Sequence, residues 1–181
     1  MGPFYFLLMI IIVFGGFGLG YVVLYNLIQY SKTKIDQAEH IIDETLRDKY
    51  DLILRANNMT KGVLKEDKSY FNDLEILKDM NISNFDLDRK LAEYIQLFEQ
   101  LKGDFKELND NKGAKDITLE LKDINVKLSA SKSYYNKYVT DYNRYITFFP
   151  ANIIAKIHRF NVKNFFDNKD MNDNILDDFK L

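Results

Sequence analysis

Three patterns of apolar and polar positions follow one another along the chain. The first is FYFLLMIIIVFGGFGLGYVVLY, Phe4 to Tyr25, 22 residues without a charge. As a helix rising about 1.5 Å per residue it covers roughly 33 Å, matching a hydrocarbon core of about 30 Å. Phe4, Leu8, Ile12, Gly16, Gly20 and Tyr25 lie along this span. Aromatics flank it, with Phe4, Tyr5 and Phe6 at one end and Tyr21, Tyr25 and Tyr30 at the other, as interfacial anchoring prefers. A cleaved signal peptide needs a basic start and a small-residue cleavage site. MGPFYF supplies neither, so the span reads as a retained anchor. Gly16 and Gly20 have the spacing that permits transmembrane helix pairing, and the abundance of glycine in membrane helices also explains them.

The second pattern is a helical stripe. From Tyr21 to Lys61 there is neither Gly nor Pro, so the anchor can run on as helix without a flexible linker. Ile35, Ala38, Ile42, Leu46, Ile53, Ala56, Thr60 and Leu64 form one face, interrupted at Lys49. Gly62 marks a break, and a further helical stretch is expected to about Met80. NISNFD, residues 81–86, is rich in capping residues and opens LDRKLAEYIQLFEQL, while NDNKG at 109–113 is a turn.

The third pattern runs from Ala114 to about Phe149. Leu121, Leu128, Tyr135, Tyr142 and Phe149 recur every seven residues, with Ile124, Ser131, Tyr138 and Tyr145 three positions after them. This is a coiled-coil-like, bundle-facing seam. It predicts a core of Leu121, Leu128, Tyr135, Tyr142 and Phe149, with Asn136 and Asn143 beside it. Pro150 ends the helix, because it pushes residue 149 out of helical geometry.

Composition and charge narrow the chemistry. The formal charge is −2, and no Lys, Arg, Asp or Glu precedes Lys32. Such a balance lacks the basic footprint of a nucleic-acid binder. There is no cysteine, which excludes disulfides, thiolate metal sites and Cys nucleophiles. The two histidines lack the Glu-x-x-His context of a di-metal bundle, since Gln37 precedes His40 by three and Ala155 precedes His158 by three. Asp36 and His40, four apart, read as a solvated helix face. No nucleophile signature occurs. Asp43, Glu44, Asp48 and Asp51 interleave with Arg47 and Lys49 as on a salt-bridged surface. No catalytic, cofactor or metal residue is assigned.

The stretch YNKYVTDYNRYITFFPANIIAKIHRFNVKNFFD, Tyr135 to Asp167, resembles the C-terminal signature of the LemA family: two Tyr-Asn pairs seven apart, then Phe149-Pro150 and Asn152 before Ile-Ile-Ala. Tyr25-Asn26 after the anchor, LRDKYDLI at 46–53 and Lys61-Gly62 agree with the same family. Two departures stand out. The proline expected after Asp51-Leu52-Ile53 is replaced by Leu54, which predicts a helix running straight through. Phe105-Lys106-Glu107-Leu108 replaces the Tyr-Pro-Asp-Leu that relatives carry before the last long helix. The signature asparagines Asn136, Asn143 and Asn152 either bond a partner or neighbouring backbone, or fix bundle register and cap the break at Pro150; the second is favoured.

The resemblance implies an all-α chain of three parts. Residues 1–25 form a single-pass transmembrane helix, residues 26–167 an antiparallel bundle of three to four long helices plus a short C-terminal one, and residues 168–181 a disordered acidic tail. It implies no assigned activity. The expected role is a non-enzymatic scaffold or protein-interaction module at the bacterial cell membrane. Its partners are the lipid bilayer and an unidentified protein, with no nucleic acid and no cofactor, and self-association through the transmembrane helix is compatible with its glycines. The alternative is a protein acting on the membrane surface through 151–166, where Ile153, Ile154, Ile157, Phe160 and Phe165 could share one face. Three turns of the chain after the anchor would bring that segment back to the membrane; two would leave it at the far end. Lys32 and Lys34 follow the anchor and no basic side chain precedes it, which places the bundle in the cytoplasm and the N-terminus outside.

Overall fold

A computed structural model describes residues 2–65, 70–72, 74–78 and 82–166. These residues form five α-helices and one 3-10 turn, with no strand among them. Helix α1 spans Pro3–Leu64, α2 Asn84–Asp104, α3 Lys106–Asp110, α4 Lys112–Thr147 and α5 Ala151–Ile157. The expected acidic tail at 168–181 lies outside the described residues.

Helix α1 is continuous for 62 residues, through both Leu54 and Gly62. Pro3 opens it, where its missing N–H would be unsatisfied in any case. It ends as Lys65 enters the left-handed region at φ 53°, a conformation that terminates helices. The helical stretch expected before Met80 is reduced, among the described residues, to the 3-10 turn Ile76–Lys78. Ser83 caps α2, its Oγ accepting the Asp86 N–H at 3.1 Å. Asn111 caps α4, its side-chain oxygen accepting from the backbone of Gly113 at 2.9 Å and Ala114 at 3.3 Å.

The described residues fall into two compact units. Ala38–Ser133 forms a central unit, while residues up to Gln37 and those from Tyr134 onward form a terminal unit.

In the central unit Ala38, Ile42, Leu46, Ile53 and Ala56 of α1 face Leu91, Phe98 and Leu101 of α2 and Ala114, Ile117, Leu121 and Leu128 of α4, all buried. Asn84 bonds Asp43 and Asp88 bonds Lys49, so α2 runs in the same direction as α1. Arg55 pairs with Glu120, and a Cβ on Gly113 would lie 2.6 Å from the Met59 methyl, so α4 runs antiparallel to α1. Between α1 and α2, Tyr70 packs on Phe105 and Phe71 on Tyr94, and Phe71, Leu74 and Leu77 are buried.

In the terminal unit the core holds Ile28 and Ile35 of α1, Tyr135, Val139, Tyr142 and Ile146 of α4, and Ala151, Ile154 and Ala155 of α5. The predicted seam thus holds at Leu121, Leu128, Tyr135 and Tyr142, each within its own unit. Phe149 departs from it and is 79% exposed. Helix α4 stops at Thr147, so heptad spacing no longer governs where residue 149 points. Pro150 begins α5, and the Phe149–Pro150 bond is cis.

Candidate functional site

Helix α1 contains the one stretch among the described residues long and apolar enough to cross a membrane, and that stretch is unburied along its length. Phe4, Leu8, Ile12, Gly16 and Gly20 are exposed, and among the described residues nothing would lie within 4 Å of a Cβ on Gly16 or Gly20.

At the end of this stretch the rest of the terminal unit meets it. Tyr21 and Tyr25 stack with ring centroids 6.4 Å apart, as four-residue spacing on a helix allows. The Tyr21 hydroxyl shares a 2.6 Å hydrogen bond with His158 Nε2, and the imidazole lies 4.8 Å from the Tyr25 ring. Phe160 completes the cluster, 5.7 Å from His158 and 6.4 Å from Tyr142. The segment after α4 therefore returns to the end of the apolar run. Burial, and then the neighbouring Asp36 carboxylate, push the Tyr142 phenol above its ordinary value of 10.0.

The amphipathic helix over 151–166 that the alternative reading needs is not formed. Helix α5 has seven residues and ends where Arg159 enters the left-handed region at φ 56°. The Phe160 N–H bonds the Ala155 carbonyl at 2.9 Å across that turn, the pattern of a helix end that usually carries glycine. Holding an arginine there costs about 1 kcal/mol. The described residues beyond it, 160–166, are not helical, which removes Phe165 from any shared face. Within α5, Ile154 packs inward while Ile153 and Ile157 point outward.

The repeated Tyr-Asn pair has its explanation in this non-helical segment. The Asn143 amide donates to the Lys163 carbonyl at 2.7 Å and accepts the Lys163 N–H at 2.9 Å. Asn136 accepts the Phe166 N–H at 2.9 Å, and the Tyr135 hydroxyl donates to the Asn164 carbonyl at 3.1 Å. Seven helical residues rise about 10.5 Å, and three extended residues cover about 10 Å. The heptad interval from Asn136 to Asn143 therefore matches the reach from Phe166 back to Lys163. Lys163 is also held by Asp36 at 3.2 Å, so Asp36 pairs with this strap, while His40 is exposed. Of the alternatives for these asparagines, bonding to neighbouring backbone describes Asn136 and Asn143. Asn152 differs, its side-chain oxygen buried without a donor among the described residues. Asn26 and Pro150 are exposed, and Tyr25 is half-buried in the aromatic cluster.

The central unit contains a charge cluster that pattern reading passes over as a flaw in the stripe. Lys49, 3% exposed, pairs with Asp88 at 2.8 Å, and Lys132 bonds the other carboxylate oxygen. Burial raises the Asp88 pKa, but the Lys132 and Lys49 hydrogen bonds outweigh it and hold the carboxyl below its ordinary 3.8. The signal was available: a lysine in an apolar stripe requires a buried partner. Asp48, Asp51, Arg55, Glu120 and Asp123 line a shallow groove, where Arg55 pairs with Glu120 at 3.0 Å. No group of three or more His, Asp or Glu with metal-holding geometry occurs among the described residues.

Comparison with known proteins gives one positive result. The family model described as the LemA family matches residues 38–176, starting beyond the apolar run. Neither the curated proteins nor the solved structures yielded a match.

Proposed function

Because the chain belongs to the LemA family and begins with a helix long enough and apolar enough to cross a membrane, we propose that it is a single-pass interaction module of the bacterial cell membrane, without catalytic activity. The observation that carries this reading is the exposed run from Phe4 to Val23, which continues as unbroken helix into the packed units. A helix of a soluble core would bury such residues; a lipid-facing one leaves them open. The polar groups inside the units support a structural role. His158 is bonded to Tyr21, Asp88 to two lysines, and Asn136 and Asn143 to backbone. The exposed helix faces are then the surfaces that meet a protein partner, and the positive charges after the anchor favour a cytoplasmic bundle.

The chain has no cysteine, so one placed at Asn109, exposed on α3, reports sidedness. A membrane-impermeant maleimide applied to intact cells should label Asn109→Cys only after lysis; labelling before lysis overturns the orientation. Recovery of the protein in the soluble fraction overturns the anchor itself. Photocrosslinkers at exposed bundle positions in cells should capture a discrete protein, and their failure to do so from every helix face would count against an interaction module.

A further inference from the structure

We infer that the α4–α5 corner is a second membrane contact, docking on the anionic headgroups of the leaflet beside the chain's own anchor. The inference rests on the anchor reading and adds a headgroup-binding surface to it.

Position comes first. A run from Phe4 to Tyr25 fills a hydrocarbon core of about 30 Å, so Tyr21 and Tyr25 fall at its edge. His158 is hydrogen-bonded to Tyr21 and packed on Tyr25, which sets the C-terminal end of α5 at the same level. Headgroups occupy roughly 5–8 Å beyond the core on each side. The inserted anchor therefore holds the end of α5 within reach of that zone.

The surface presented there has the matching chemistry. Phe148, Phe149, Ile153 and Ile157 are all more than half exposed, with Lys156 and Arg159 exposed among them. The whole terminal unit shares this sign. Its described residues carry seven Lys or Arg against two Asp, whereas Ala38–Ser133 carries sixteen Lys or Arg against twenty Asp or Glu. A chain of formal charge −2 thus holds +5 in the described residues of the unit that contains its apolar helix, and +2 when the five Asp and two Lys of 167–181 are counted with them. Apolar side chains interleaved with basic ones are the composition of an interfacial contact with anionic lipid. Arg159 also retains its charge at a backbone position where glycine would fit without strain.

The test uses the full chain, one copy per nanodisc, with single cysteines carrying an environment-sensitive fluorophore. Ile12→Cys reports the anchor, and Ile153→Cys and Ile157→Cys report the corner; all three native side chains are exposed, so folding is spared. With phosphatidylglycerol present, Ile12 should be quenched by deep spin-labelled lipid. Ile157 and Ile153 should be quenched by shallow spin-labelled lipid and shielded from iodide. Removing phosphatidylglycerol should weaken shielding at the corner but not at Ile12. Arg159→Gly should lower the docked-to-free ratio about fivefold while leaving the melting temperature equal or higher, an outcome that lost folding cannot imitate. A quenched Ile12 beside an iodide-accessible Ile157 overturns the second contact and leaves the anchor standing. An unquenched Ile12 overturns both. Corner shielding indifferent to phosphatidylglycerol and to Arg159→Gly overturns the headgroup assignment.

Discussion

The central unit ties α1, α2 and α4 through charges, with the buried Lys49 and the partly exposed Lys132 meeting on Asp88; the terminal unit ties its last segment through amides and a phenol, with Asn136, Asn143 and Tyr135 meeting backbone. Lys49, Asp88 and Lys132 stand on helices that already satisfy their own backbones, so the charge cluster fixes register and little more. The terminal unit holds a segment without helix or strand. Its backbone groups need partners, and neutral amides supply them without the desolvation of an ion. Tyrosine divides in the same way. Nine of the twelve fall in the terminal unit, where an apolar ring with a polar tip suits an edge that is neither dry nor open.

The largest expected effect breaks the terminal unit. Tyr142→Asp places a second carboxylate near Asp36 in a site only 3% exposed. A loss of about 5 kcal/mol is expected, enough to unfold the unit; an unchanged thermal transition in detergent would remove Tyr142 from the core. Next is Asp88→Asn, which leaves Lys49 buried beside a neutral amide and should cost roughly 3–5 kcal/mol. Replacing Lys49, Asp88 and Lys132 together with Met, Leu and Met should recover most of that loss. A triple variant as weak as the single one would mean that the cluster does more than set register.

The strap gives smaller and graded effects. Asn143→Ala removes both bonds to Lys163 and should cost about 1–3 kcal/mol. Asn136→Ala removes one and should cost about 1 kcal/mol. Amide exchange at Lys163 and Phe166 separates the two, because each variant should expose its own partner first. Equal exchange in both would break the one-asparagine, one-backbone pairing.

The smallest effect is in pH. The Asp88 pKa is lowered in the folded state, so its contribution is present above 3.8 and is lost as pH falls through the lowered value. The Tyr142 pKa is raised, so its contribution is present below 10.0 and is lost as pH rises through the raised value. Acid should therefore loosen the central unit first and alkali the terminal one. Asp88→Asn should flatten the acid limb of a denaturation profile, and Tyr142→Phe the alkaline limb.

Much of this was legible because helices write their packing locally. Leu121, Leu128, Tyr135 and Tyr142 are all buried, as seven-residue spacing foretells, and Ser83 caps a helix where capping residues cluster; the turn expected at 109–113 is instead the single residue Asn111, which caps α4 between two helices. Spacing fails where the helix does. Phe149 keeps the heptad count two residues past the end of α4, and Phe165 keeps an apolar rhythm in a segment that Arg159 has already turned out of helix. The pairing of Lys49 with Asp88 spans 39 positions and leaves no periodic trace. The asparagines marked the strap, but which backbone they hold depends on where residues 163–166 fall in space.

The strap also dictates an order of events during synthesis. Ala38–Ser133 is one uninterrupted stretch, so it can pack as soon as it leaves the ribosome. The terminal unit joins residues up to Gln37 to residues after Ser133, and its last bonds await Phe166. At roughly 5–20 residues per second the interval from Ser133 to Phe166 lasts about 2–7 s. For those seconds Tyr21, Tyr25 and the flank of α1 stand without His158 and Phe160, so the apolar helix is complete and open before the aromatic cluster closes against its end.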